Sequence, residues 1–263
     1  MRDEIQVPEG YNPRDYPPVA VTVDVVTFTI VDDLLQILLI QRGQRPYIGD
    51  WALPGGFVRP EENLEEAAQR ELHEEAAVNA EPRYLEQLGT YGTPDRDPRM
   101  RIVTVAYWAI LADLPPPKGG GDAVDAQLFP VVKVEHDALP LAFDHIKIIK
   151  DSVERIRSKL EYTTLAAKFC PPQYTISHLR QVYEAVWNAR VDPPNFHRKV
   201  TSTPDYLLPT GHQTDPNARG GRPAMMYSTG TAQYLSPPIP RTPDRTKPNR
   251  PPQPPPDPEN EKK

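Results

Sequence analysis

Glycine and glutamate at fixed spacing constrain this chain more than any other feature. From Gly56 the sequence runs five residues to Glu62, seven more to Arg70-Glu71-Leu72, one to Glu74-Glu75 and one to Ala77-Val78. The segment Glu62–Val78 reads as a helix, with Leu64, Ala67, Ala68 and Leu72 as an apolar stripe. On it Glu71, Glu74 and Glu75 stand at i, i+3 and i+4 and share one face. Like charges that close destabilise an isolated helix. A hard divalent cation turns the repulsion into a site, because Mg²⁺ takes carboxylates, water and substrate phosphates together. Gly55-Gly56 lets the backbone turn tightly ahead of the helix and approach a ligand. Arg70 is placed to pair with a glutamate and hold it. The competing reading is a solvated surface helix, and Glu61, Glu65 and Glu66 fit that description.

The elements around this helix describe one α/β domain. Val19–Val31 alternates apolar and polar residues and is rich in β-branched types, which predicts a strand. Asp32-Asp33 predicts a turn and Leu34–Ile40 a second strand, hence a hairpin. Gly43–Asp50 reads as a loop, and Trp51–Gly56 as a short strand ending in a glycine turn. Tyr84–Tyr91, Met100–Leu111 and Gln127–Val134 read as strands, with a loop at Pro115–Gly121. Asp144–Leu160 reads as a long helix. Strands, helix, strands and helix in that order give an α/β layer architecture.

A second module follows. Thr175 or Ser177 is a suitable N-cap for a helix through Leu179, Val182, Tyr183, Val186 and Trp187. Asp192-Pro193-Pro194 starts another, running from about Asn195 to Ser202. Tyr206-Leu207-Leu208 and Ala224–Tyr227 read as short strands joined by the loop Thr210–Arg222. Helix, turn, helix and a hairpin with a basic, glycine-rich tip outline a winged helix-turn-helix.

Charge divides along the same line. The net charge of −6 argues against a nucleic-acid binder along the whole length. Residues 171–230 carry six Lys/Arg against four acids, and residues 231–263 again six against four, so the first 170 residues stand at −10. Such asymmetry suggests modules with different partners. The segment 231–263 also holds 11 of the 34 prolines. A segment so polar and Pro-rich is expected to be disordered and dispensable for folding. The single cysteine, Cys170, excludes a disulfide framework and a Cys-rich zinc module. No apolar run approaches the roughly 20 residues of a membrane span. Met1-Arg2-Asp3-Glu4 opens no apolar signal segment, so a cytoplasmic protein without membrane contact is expected.

The Gly56–Val78 pattern resembles the Nudix box, G-x5-E-x7-R-E-U-x-E-E-x-G-U with U aliphatic. Ala77, where the family has glycine, is the departure. Glycine there can adopt a left-handed conformation that alanine resists, so a modest local cost is expected. The resemblance implies a mixed sheet sandwiched by helices and hydrolysis of a nucleoside diphosphate linked to another group. It implies Glu71, Glu74 and Glu75 as ligands for Mg²⁺, with Mn²⁺ as an alternative. Glu62, Arg70 and Glu74 are then the catalytic candidates, and Gly55, Gly56, Arg96 and Arg99 the ligand-binding candidates. Arg96 and Arg99 could grip a diphosphate bidentately or pair locally; the two readings are even. His145 reads as a packed or capping histidine, with a contact to adenine or phosphate as the alternative.

A longer resemblance covers about residues 19–230. Val23–Val26, Trp51–Phe57, Glu86–Leu88, Arg96–Arg99, Ala142–His145, Asn195–Val200 and Gly221–Ala224 are similar to the Nudix-related transcriptional regulators of NAD metabolism, the NrtR family. This implies an N-terminal extension (1–18), a Nudix domain (19–165), a winged-helix DNA-binding domain (171–230) and a Pro-rich tail (231–263). It implies a homodimer in which an ADP-ribose sensor controls binding to double-stranded operator DNA. Asn195, His197, Arg198, Lys199 and Arg222 are the DNA-binding candidates, because the second helix of a winged helix enters the major groove. Phe196 and Val200 are expected in the core. Many members of the family have degenerate boxes and no hydrolase activity. This box is nearly intact, which leaves hydrolysis open. The alternative is a Mg²⁺-dependent, ADP-ribose pyrophosphatase-like hydrolase whose winged helix serves assembly.

Overall fold

The first long strand organises the N-terminal half of the chain. In the computed structural model β1 (Ala20–Val31) and β2 (Leu34–Arg42) form an antiparallel hairpin. Its turn residues Asp32 and Asp33 both take positive φ, as a tight two-residue hairpin turn demands. β3 (Trp51–Ala52) pairs with β2, and β4 (Gly55–Phe57) pairs with β1. β5 (Tyr84–Tyr91), β6 (Ile102–Ile110) and β7 (Ala123–Pro130) complete a seven-stranded sheet. β6 runs parallel to β1, and the other pairings are antiparallel, so the sheet is mixed as expected. The structure describes residues 10–78, 84–112, 114, 116–136, 139–215 and 223–241.

The alternation in β1 suggested one buried and one wet face. Instead every residue from Thr22 to Thr29 is buried, Asp24 and three threonines included. On one face Val23 and Val25 pack with Ala67, Ala68, Val105 and Tyr107. The opposite-face residues Val26 and Phe28 are also fully buried, and Phe28 meets the edge of Trp108.

Helix α1 (Leu64–Ala76) starts two residues later than its composition suggests. Asn63 caps it: its side chain accepts from the Glu66 N–H, while the Glu66 carboxylate accepts from the Asn63 N–H. At its far end Ala77 adopts the left-handed conformation, with φ 52°. The glycine-like geometry is therefore kept without the glycine. The expected strand 127–134 is split, because β7 ends at Pro130 and α2 (Val131–His136) begins there. Helix α3 (His145–Tyr162) follows.

The chain divides into two units, Met1–Ile156 and Arg157–Lys263. That boundary lies inside α3, ahead of the expected domain end at 165. The last turns of α3, from Arg157 onward, belong to the second unit. Arg157 Nε donates to the Val186 carbonyl, and Trp187 Nε1 donates to the Arg157 carbonyl.

The second unit contains a 3₁₀ turn (Leu165–Phe169), α4 (Ile176–Trp187), α5 (Pro193–Ser202) and the hairpin β8 (Leu207–Gln213) with β9 (Met225–Thr229). Thr175 caps α4 and Asp192 caps α5, with proline in the first turn of α5. Leu179, Val182, Tyr183, Val186, Phe196, Val200 and Tyr206 form its core. Tyr183 stands edge-on to both Trp187 and Phe196.

The segment expected to be disordered from 231 begins as an ordered strap. Thr164 N donates to the Gln233 carbonyl, Leu235 N to the Tyr162 carbonyl and Ile239 N to the Glu161 carbonyl. Leu235 and Ile239 are 5% and 4% exposed. Two apolar side chains among the prolines are enough to anchor residues 231–241, an effect that average composition hides. The remainder of that segment, 242–263, lies outside the described residues. Among the described residues no helix is long and apolar enough to cross a membrane.

Candidate functional site

The glutamate face of α1 meets the paired glycines, which lie in a strand and not in the expected turn. A side chain on Gly55 would sit on the Val23 carbonyl oxygen, and one on Gly56 would overlap the Glu71 carboxylate. Absence of a Cβ at both positions lets the helix carboxylates close on the sheet. The Gly55 N–H donates to Glu75 Oε2 at 2.8 Å.

Arg70 gathers the carboxylates. Its Nη2 and Nε donate to Glu62 at 2.6 and 2.8 Å, and its Nη1 to Glu71 at 2.6 Å and Glu74 at 3.1 Å. Nη2 also reaches the Phe57 carbonyl at 3.1 Å. The hydrogen-bonded guanidinium holds the Glu62 carboxyl down at about 2, helped by the Arg59 N–H. Burial pushes the Glu71 carboxyl up against the pull of Arg70. Glu75, 7% exposed, is pushed up to about 8 by burial first, with Glu71 and Asp24 adding repulsion. Glu74 is 40% exposed and also receives Arg59.

As the arginines hold these side chains, no three His, Cys, Asp or Glu residues among the described residues stand in metal-holding arrangement. The donor set nevertheless suits a hard cation. Glu71 and Glu75 are buried carboxylates whose ionisation is costly where they stand, and they abut the paired glycines Gly56 and Gly55.

The other candidates in the first unit fall into two kinds. Arg96 is 7% exposed, with Nε and Nη2 donating to Asp144 at 3.1 and 2.7 Å, and Nη2 also 3.4 Å from Asp24. Of its two readings, the local pair is the one observed. Arg99 is 40% exposed, is fixed by Asp97, and lies 5.3 Å from the Phe57 ring and 5.8 Å from the Phe143 ring. It lines an open cleft of about 600 Å³ with Arg45, Tyr47 and Ile48. Tyr47 stands edge-on to Phe143 at 4.8 Å, and Arg42 lies 4.9 Å from the same ring. His145 is packed, the first of its two readings. Its Nδ1 accepts from the Leu53 N–H at 2.9 Å, and its Nε2 faces Asp24 at 3.4 Å. Burial lowers its pKa against the pull of Asp24.

Sequence reasoning missed Asp24, Arg59, Arg42, Tyr47 and Phe143 as parts of this surface. Asp24 alone carried a signal, being a carboxylate within a run of β-branched residues. The rest sit in loops or at strand ends, where spacing says nothing of neighbours.

In the second unit, α5 buries Phe196 and Val200 and leaves Asn195, His197 and Arg198 exposed. Asn195 Oδ1 accepts from Arg198 Nη2 at 2.8 Å. Lys199 is half-buried, and its ammonium donates to the Pro238 carbonyl at 3.0 Å. Burial lowers the Lys199 pKa, and Arg198 adds to the effect. A cavity of about 300 Å³ lies among α4, α5 and the wing, lined by Ser177, Arg180, Phe196, His197 and Tyr227. Arg222 lies outside the described residues.

Comparison with known proteins agrees with this division. Residues 21–151 match the NUDIX domain family, and residues 166–229 match the NrtR DNA-binding winged helix domain. The chain is 32% identical over 238 residues to the ADPR responsive transcriptional repressor NtrR of Acinetobacter baylyi, covering 85% of this chain and 87% of that protein. It is 42% identical over 141 residues to the ADP-ribose pyrophosphatase of Methanocaldococcus jannaschii, covering 52% of this chain and 75% of that one. The crystal structure of Shewanella oneidensis NrtR complexed with a 27mer DNA superposes with a TM-score of 0.66 at 33% identity, over 80% of this chain and 93% of that one. The NUDIX domain of the same protein complexed with ADP ribose superposes with a TM-score of 0.51 at 38% identity, over 56% of this chain and 94% of that one.

Proposed function

The chain belongs to the NrtR family, a Nudix domain joined to a DNA-binding winged helix, and from that premise we propose that it is an ADP-ribose-responsive transcriptional repressor. The observation that carries this reading is α5. Its apolar side chains are sunk in the core, while Asn195, His197 and Arg198 stand exposed on a unit similar to one solved on DNA. Asn195 can pair with adenine, and Arg198 with guanine or phosphate. Lys199 and Arg222 complete the proposed DNA-facing set. The protein acts as a dimer on a two-fold operator.

ADP-ribose is proposed to occupy the first unit, between the α1 carboxylates and the cleft beside Arg99 and Tyr47. The exposed Phe57 ring and the half-buried Phe143 ring offer stacking faces, and Arg99 offers a guanidinium fork for a diphosphate. Glu71, Glu74 and Glu75 would hold Mg²⁺. What such a cation supplies is polarisation of the diphosphate and activation of a water. Gly55 positions Glu75 through its N–H, and Arg70 holds Glu62 and Glu71 in place. Ligand changes DNA affinity only if it binds the free and DNA-bound states with different free energies.

Retained hydrolysis is a second reading, favoured by the near-complete carboxylate set and by likeness to an ADP-ribose pyrophosphatase. The test pairs two measurements on purified protein. Binding to its own upstream DNA is expected and should shift when ADP-ribose is added. Glu74→Gln with Glu75→Gln should abolish Mg²⁺- or Mn²⁺-dependent turnover of ADP-ribose. No specific DNA binding at low salt refutes the repressor, and no turnover by the unsubstituted protein refutes the hydrolase.

A further inference from the structure

Glu74 is the exposed carboxylate of the α1 set, and arginines already occupy both of its oxygens. Arg59 Nη2 donates to Oε1 at 3.1 Å and to Oε2 at 3.2 Å, while Arg70 Nη1 donates to Oε2 at 3.1 Å. A cation held by Glu74 needs at least one of those oxygens, so a guanidinium has to give way. The two arginines are not equally free to leave. The Arg70 side chain is 15% exposed and is also bound by Glu62, Glu71 and the Phe57 carbonyl. The Arg59 side chain is 55% exposed, and Glu74 is the one hydrogen-bond acceptor of its guanidinium among the described residues. An exposed ion pair stabilises little, because water competes for both partners. Arg59 is therefore the one that yields.

Its root, by contrast, is fixed. The Arg59 N–H donates to Glu62 Oε1 at 2.8 Å, and its carbonyl accepts from the Glu62 N–H at 3.2 Å. Glu62 is itself gripped by Arg70. A released Arg59 guanidinium thus stays tethered beside the carboxylates. A diphosphate gives it a new partner there. Arg59 follows Phe57 by two residues, and Arg99 lies 5.3 Å from the Phe57 ring, so two exposed arginines belong to the surroundings of Phe57. A diphosphate approaching α1 meets the like charge of Glu62, Glu71 and Glu74. A planar guanidinium fork answers it with opposite charge and two donors at once.

We propose that Arg59 is a diphosphate-binding residue that changes partners. It neutralises Glu74 while no cation is held there, and it grips a phosphate of a nucleoside diphosphate once Glu74 is given over to a cation. The inference rests on the reading that the α1 carboxylates hold a cation and that the first unit takes ADP-ribose. Arg59 then makes cation and nucleotide bind cooperatively, because the guanidinium that the nucleotide uses is the one released from Glu74.

The test compares the full chain with its Arg59→Ala and Arg59→Lys variants. Mn²⁺ binding without nucleotide is read from the electron paramagnetic resonance signal of the free ion. Binding of the α,β-methylene analogue of ADP-ribose, which resists hydrolysis, is read by calorimetry with saturating Mn²⁺ and again with EDTA. Melting temperatures in EDTA should nearly coincide, because only an exposed pair is lost. Arg59→Ala should hold Mn²⁺ about twofold to fivefold more tightly, since a competing charge is gone. With Mn²⁺ present it should bind the analogue roughly tenfold or more weakly, and with EDTA the loss should shrink to less than about twofold. Arg59→Lys should fall between, keeping the charge without the fork. Opposite changes in the two affinities are the signature. A purely structural role weakens both, and simple competition tightens Mn²⁺ without weakening the analogue. Either result overturns the partner change and leaves the site reading standing, as does a full chain that binds the analogue equally well with Mn²⁺ and with EDTA. A full chain that binds neither Mn²⁺ nor the analogue overturns the site reading together with the proposal.

Discussion

Ending the chain after Gly230 should destabilise the second unit, although composition alone predicts no effect. The strap is held by Leu235 and Ile239, 5% and 4% exposed, and by three backbone hydrogen bonds of 2.8 to 3.1 Å. Buried Leu or Ile to Ala costs about 2–5 kcal/mol in a core that cannot rearrange. Here rearrangement is available, because the strap joins the rest of the unit through a few contacts and can detach as a piece. The loss is therefore capped at the docking free energy of the strap. The lower end, about 2 kcal/mol, is the expectation for Leu235→Ala or Ile239→Ala alone. Once the strap is off, further substitutions in it cost nothing. The double variant should then be no less stable than the chain ended after Gly230. For a unit of this size about 2 kcal/mol corresponds to a fall of roughly 8–16 °C in melting temperature. The assay is thermal and urea unfolding of five proteins: full chain, both single variants, the double, and the truncation. Ending the chain after Arg241 is the control and should melt with the full chain. The reasoning is refuted if truncation after Gly230 moves the midpoint by less than about 2 °C, or if the two single losses add in full beyond the truncation.

Three other outcomes follow from particular residues. Ala77→Gly should stabilise the first unit by about 1 kcal/mol, because Ala77 is exposed and held at a φ of 52° that glycine adopts without strain; denaturant midpoints check this. His145 is kept neutral by burial among Asp24, Asp144, Arg96 and Arg42, so its folded pKa lies below its unfolded one. Its contribution is complete above about pH 6.5 and is lost as pH falls below that value. Glu75, raised to about 8, runs the other way, and its destabilising effect grows from about pH 4.5 to 8. Unfolding curves of His145→Asn and the unsubstituted protein should therefore be compared from pH 5 to 8, where the variant should lose less stability on acidification. Arg198→Ala should weaken operator binding by about 1–3 kcal/mol if Arg198 reads a base, and should weaken scrambled duplex equally if it touches phosphate alone; competition titrations separate the two.

Much of the local structure is legible in the sequence, because its causes are local. The 3.6-residue rhythm of Leu64, Ala67, Ala68 and Leu72, the caps at Thr175 and Asp192, and the two-residue Asp32-Asp33 turn each depend on neighbours a few positions away. The shared face of Glu71, Glu74 and Glu75 is legible for the same reason, being fixed by helical geometry. Whether Glu71 and Glu75 are costly to ionise is a different matter. It depends on how deeply the fold buries them beside the β4 glycines, with Arg70 easing the ionisation of Glu71. Asp24 looked like the wet side of a strand and is 6% exposed, since both faces of β1 are covered. Arg96 carried two even readings in the sequence, and which partners it has here, Asp144, 48 positions away, and Asp24, 72 positions away, only the fold decides. The strap departed furthest from expectation: a Pro-rich average concealed Leu235 and Ile239, whose partners at Glu161 and Tyr162 lie more than 70 residues back. Helices, turns and caps are set by short-range hydrogen bonds and periodicity, which sequence order carries directly. Burial, pairing and anchoring are set by which distant surfaces meet, and only the folded chain brings those surfaces together.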